Sequence, residues 1–122
     1  MMTFVRRACA TAALAAIAGC SATPSAQQRL VATELNQMTP LKQAYTGVVM
    51  GFDVHGETTL IASLDLQSYI GMDDDAAEAM RRAVVARWRS TWSDAHPGAH
   101  ATLHVRFIDF IGRKIAEQSS SV

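Results

Sequence analysis

Residues 73–94 read DDDAAEAMRRAVVARWRSTWSD, and their spacing decides the fold. Met80, Val84, Trp88 and Trp92 recur at every fourth position with Ala77 and Val85 beside them, which draws one apolar stripe along a helix. Arg81, Arg82, Arg87 and Arg89 fall off that stripe and read as a solvated face. Glu78 precedes Arg82 by four residues, the favourable order for a helical ion pair. Asp73, Asp74 and Asp75 place negative charge where a helix begins and its first amide groups lack partners. His96-Pro97-Gly98 stops it. A helix of this length spans about 33 Å.

On either side of the helix the apolar period is two. Val48, Met50, Phe52 and Val54 alternate with Val49, Gly51, Asp53 and His55, and His55-Gly56-Glu57 supplies a turn. Leu60, Ala62, Leu64 and Leu66 then alternate with Ile61, Ser63 and Asp65, so the two runs predict a β-hairpin with one apolar face. Downstream, Leu103, Val105 and Phe107 alternate with Thr102, His104, Arg106 and Ile108. Gly112 marks a turn, and Arg113 to Glu117 forms a last short strand. The order ββαββ predicts an α+β fold, a small antiparallel sheet of about four strands with the long helix on one face. Eight-residue strands reach only about 26 Å. The helix therefore overhangs the sheet, and Trp92 needs cover from a preceding segment or from another protein.

That preceding segment is a short helix predicted over Gln28 to Met38, where Val31, Leu35 and Met38 share a face and Thr39-Pro40 ends the run. Before it, Ser21 to Gln28 is small, polar and punctuated by Pro24, the composition of a flexible spacer. The domain is expected over residues 46–118, the tether over 20–45 and a tail over 119–122. A folded unit of this size, with no disulfide, is near the limit at which a core supplies about 3–5 kcal/mol. Self-association or a partner would stabilise it.

The first residues are an address. Arg6 and Arg7 precede an apolar run from Ala8 to Ala18 broken only by Thr11, too short for the roughly 20 residues that a membrane-spanning helix requires. It reads as a cleaved signal peptide over 1–19. Ile17-Ala18-Gly19-Cys20 resembles the lipobox of bacterial lipoproteins, in which the cysteine becomes the lipidated first residue of the mature chain. The resemblance implies that Cys20 is the lipid anchor and that the membrane is held through it. The position after the cysteine is Ser21, where an Asp would imply inner-membrane retention, so the resemblance implies the periplasmic face of a bacterial outer membrane. Cys9 is lost with the leader, leaving no cysteine pair to bridge.

The 122 residues balance 11 Lys and Arg against 11 Asp and Glu, which gives no electrostatic reason to expect nucleic acid. Removal of the leader leaves 9 basic and 11 acidic side chains. No nucleophile elbow, glycine-rich phosphate loop or Cys–His pair is present, so no catalytic residue is assigned and no enzyme is expected. His96, His100 and His104 follow an every-fourth pattern, but Pro97-Gly98 forbids the helix that would gather them. In extended chain His100 and His104 stand about 13 Å apart. Only a cross-strand pair such as His55 and His104 could rescue a metal site, so no metal and no cofactor is assigned. Asp73 to Asp75 lack the spacing, glycine and terminal Glu of a calcium loop, and capping explains them. Trp88 and Trp92 read as core, not as a stacking platform.

Two surfaces remain as leads. The sheet face opposite the helix carries Asp53, His55, Ile61, Ser63, Asp65, His104 and Arg106. Asp109-Phe110-Ile111-Gly112 puts two large apolar residues where turn chemistry prefers polar ones. Residues Leu103 to Asp109, then Gly112-Arg113 through Ser119-Ser120, are similar to the last part of TonB-type C-terminal domains, where a strand, a glycine-containing turn and a second strand follow a helix. That likeness covers about 25 residues and lends no functional residue. The expectation is a non-catalytic, lipid-anchored periplasmic module that docks another envelope protein or assembly. The alternatives are an immunity-type lipoprotein that blocks a toxin and a lipoprotein that binds a metal or small molecule.

Overall fold

Helix-forming and strand-forming segments alternate in the computed structural model, which describes residues 23–122. The leader and the Ile17-to-Cys20 segment lie outside the described residues. The chain divides into the units Met1–Leu30 and Val31–Val122.

The first helix, α1, covers Ala26–Ala44. Its start lies inside the segment predicted as spacer, because Ser25 and Gln28 cap each other. The Ser25 amide donates to Gln28 Oε1 at 2.8 Å and the Gln28 amide to Ser25 Oγ at 3.1 Å, the reciprocal capping box. Its end lies beyond Pro40, where the sequence predicts a stop. A proline inside a helix removes one amide donor and costs roughly 3 kcal/mol. Here tertiary packing offsets that cost: Met38 is fully buried, and Leu41 and Tyr45 pack against the core on the far side of the proline. Arg87 Nε donates to the Gln37 carbonyl at 2.8 Å, serving an acceptor in the turn that the proline disrupts.

Strands β1 (Val49–His55) and β2 (Thr59–Leu64) form the expected antiparallel hairpin. The inward face of β1 differs from the predicted one. The register slips between Val49 and Gly51, so Val49 is buried while Met50 turns out to solvent. A one-residue bulge exchanges the two faces of a strand, which a strict period of two cannot register. Strand β2 ends at Leu64, short of Leu66. Asp65 instead caps helix α2 (Leu66–Ile70) by accepting from the Ser68 amide at 3.0 Å.

Helix α3 (Asp74–Ala95) matches the expected long helix, and Met80, Val84, Trp88 and Trp92 all face the core. Asp73 occupies the N-cap without a side-chain hydrogen bond, so the acidic run acts through position and charge. Strands β3 (Thr102–Ile108) and β4 (Lys114–Ser121) complete the sheet. The last strand runs through the predicted tail, with Ser119, Ser120 and Ser121 opposite His104, Leu103 and Thr102.

The sheet order is β1-β2-β3-β4, and its central pair, β2 with β3, is parallel. The sheet is therefore mixed, not antiparallel. A five-residue α2 cannot cross the sheet, whereas α3 can. One spanning helix between neighbouring strands returns the chain to the end where β2 began and makes β3 parallel to it. The α+β class stands. Leu60, Ala62 and Leu64 of β2, and Leu103, Val105 and Phe107 of β3, face the α3 stripe, and Met38 of α1 joins them. Trp92, 3% exposed, gets its cover from within the chain.

Candidate functional site

The pairings Val49 with Leu64 and Ser63 with Ile108 bring the start of β1 and the ends of β2 and β3 to one end of the sheet. Among the described residues the exposed large apolar side chains all lie at or just beyond this end. Met50 is 54% exposed, Ile70 at the end of α2 69%, and Phe110 and Ile111 in the β3–β4 turn 87% and 59%. Leaving such a side chain in water forgoes about 1.5–3 kcal/mol of burial. Exposed apolar side chains scattered singly over a surface are ordinary, whereas these share one end of the sheet.

The turn that carries Phe110 and Ile111 is built from a buried carboxylate. Asp109, 2% exposed, accepts from the Ile111 amide at 3.1 Å and the Arg113 amide at 2.8 Å on Oδ1, and from Arg113 Nε at 2.8 Å on Oδ2. Its own amide donates to the Arg113 carbonyl, and the Gly112 amide donates to the Asp109 carbonyl, each at 3.0 Å. Gly112 takes φ +88°, a conformation that glycine adopts without strain. Burial pushes the Asp109 carboxyl up, but the Arg113 amide and guanidinium and the Ile111 amide outweigh it and hold the group below its ordinary value. Phe110 and Ile111 thus stand out from a braced support, not a loose loop. After β2, Tyr69, Ile70 and Met72 border a recess of about 280 Å³ edged by Asp74 and Glu78. The Arg81 guanidinium closes its back by donating to the Tyr69 hydroxyl.

The opposite end gathers the four histidines. His55 Nε2 lies 3.4 Å from Asp53 Oδ2, His104 Nδ1 2.8 Å from Ser119 Oγ, and His100 Nδ1 3.2 Å from the Val122 carbonyl. His55 and His104 both lie opposite Thr59, on strands either side of it, about 10 Å apart. Among the described residues no group of three His, Cys, Asp or Glu side chains is placed to hold a metal. His96 stacks on Trp92 at 4.2 Å and faces Glu34, a carboxylate only 1% exposed. Trp88 and Trp92 donate their indole N–H groups to the Thr58 and Glu57 carbonyls at 3.2 and 3.0 Å. Both indoles are core, and they fasten the β1–β2 turn.

On the outer sheet face, Asp53, His55, Ser63, His104 and Arg106 do share one side. Ile61 among them is only 6% exposed, and Arg106 lies 3.8 Å from Glu117. Asp65 is not on that face, because it caps α2. Asp109 and Glu34 are the functional candidates that sequence reasoning missed. Asp109 could have been found from an Asp two residues before an unlikely turn residue, the mark of an Asx turn. Glu34 could have been found from its place four residues before Met38, on the buried side of α1. Among the described residues no helix is long and apolar enough to cross a membrane. No family model matches the chain, and no curated protein or solved structure matches it either.

Proposed function

We propose that the protein is a non-catalytic binding module of the bacterial cell envelope, carried on lipid at Cys20, whose Phe110 end docks another envelope protein. The observation that carries this reading is the exposure of Phe110 and Ile111 on a turn that Asp109 holds rigid. A rigid apolar anchor loses little freedom on binding, so more of its burial appears as affinity. Its occupant is a protein and not a bilayer, because Asp73, Asp74, Asp75 and Glu78 are exposed at the same end as Ile70 and would repel anionic lipid headgroups.

The test is site-specific photo-crosslinking in cells, with the reactive residue at Phe110 or, as control, at Arg106 on the outer sheet face. A discrete protein adduct is expected from Phe110, absent from the control, and lost when Ile70→Asp is added to a chain that still folds. An adduct that survives Ile70→Asp, or none from Phe110, overturns the reading.

A further inference from the structure

The end opposite Phe110 holds one group that the docking reading does not use. Glu34 Oε2 is buried and has no hydrogen-bond partner among the described residues, a condition that costs a carboxylate far more than it costs an amide or hydroxyl. Its neighbour is His96 Nδ1 at 3.9 Å, within ion-pair range and outside hydrogen-bond range. Nδ1 is itself engaged with the Trp92 carbonyl at 2.9 Å. A carbonyl only accepts, so Nδ1 carries the hydrogen. His96 also receives the Trp92 ring at 4.2 Å, and its own amide donates to the same Trp92 carbonyl at 2.9 Å. The imidazole is therefore fixed in place, and the carboxylate is fixed against it by the burial of α1.

We propose that Glu34 and His96 form a proton-operated latch that fastens the Val31–Ala44 part of α1 to the end of α3 in mild acid and loosens it as pH rises. A proton on Glu34 removes the buried charge. Once the carboxyl ionises, a bare carboxylate oxygen is left buried with no hydrogen-bond donor among the described residues. Burial raises Glu34 above its ordinary value, and the charge of His96 opposes that rise. A carboxyl raised on folding gives stability that is fully present below its unfolded value and is lost as pH climbs through its folded one. The other ionisable groups nearby are Asp94 on α3 and Glu57 in the β1–β2 turn, both exposed, and Arg29, five residues earlier on α1. Only His96 lies within ion-pair range of Glu34 among the described residues. The latch covers apolar surface, because Met38, one turn beyond Glu34, is fully buried and its Sδ accepts from Thr91 Oγ1 at 3.7 Å.

The test is hydrogen exchange of the Leu35–Thr39 amides in the full chain from pH 5 to pH 9, compared at each pH with Glu34→Gln so that intrinsic base catalysis cancels. Glu34→Leu serves as a second reference should the amide destabilise the fold. The exchange ratio of wild type to variant is expected to rise with pH by up to about tenfold per unit, the slope of one proton, with the Leu35–Thr39 amides less protected than the Val105 amide at every pH. A flat ratio overturns the latch. So do Leu35–Thr39 amides protected as strongly as Val105, which would mean that α1 opens only with the whole domain.

Discussion

At one end of the sheet large apolar side chains stand outside, and at the other a carboxylate stands inside. Phe110 is 87% exposed and Glu34 1%, the reverse of what each residue type prefers. Between them the molecule follows the ordinary pattern, with the α3 stripe packed on Leu60, Ala62, Val105 and Phe107. The contrast shows what each departure needs. Phe110 is held out by a fully bonded Asp109, so its exposure is built in. Glu34 Oε2 has no hydrogen-bond partner among the described residues, so its burial carries an uncompensated cost. Local rules tend to break where a molecule has something to do besides fold.

Substitutions at the two ends should separate stability from binding. Trp92→Ala, at the histidine end, removes a buried indole and its bond to Glu57, and is expected to cost about 3–5 kcal/mol in urea unfolding, enough to unfold a small domain. Met38→Ala should cost about 2–5 kcal/mol by the same measurement, with the α1 amides losing protection first. Asp109→Ala should lower the melting temperature and widen exchange at Phe110 and Ile111. Because its carboxyl is held low, its contribution is present above the unfolded value of 3.8 and is lost as pH falls through the folded one. The wild-type melting temperature should therefore drop in strong acid by more than that of the variant. Glu34→Gln at pH 8 should instead raise stability, by about 1 kcal/mol, with the gain vanishing toward acid. Phe110→Ala should move stability by less than about 0.5 kcal/mol and abolish the adduct formed by a reactive residue placed at Ile111. A Phe110→Ala chain that unfolds would show that the apolar end is structural after all.

The middle of the molecule was legible and its ends were not. Met80 through Trp92 and Leu103 through Phe107 show clean periods of four and two because the core reads one face of each element. The bulge at Val49–Gly51 escaped because an extra residue shifts phase without altering composition. Asp65 and Ser25 were cap signals set inside runs that also suited a strand and a spacer. Pro40 misled because a local penalty was weighed without the packing of Met38, Leu41 and Tyr45 that outweighs it. The apolar turn was visible as a broken rule at Phe110 and Ile111, but its rigidity depends on hydrogen bonds to Asp109 that only the folded chain displays.

The parallel seam between β2 and β3 also bears on how the protein assembles. Each hairpin can close quickly through neighbours in sequence, but joining them requires the chain from Asp65 to Ala101 to loop back first. For a polypeptide synthesised from its N-terminus, β1 and β2 emerge with an open edge and wait for the last strands to arrive. Folding is thus a race between late-coming β3 and any stranger that finds that edge first.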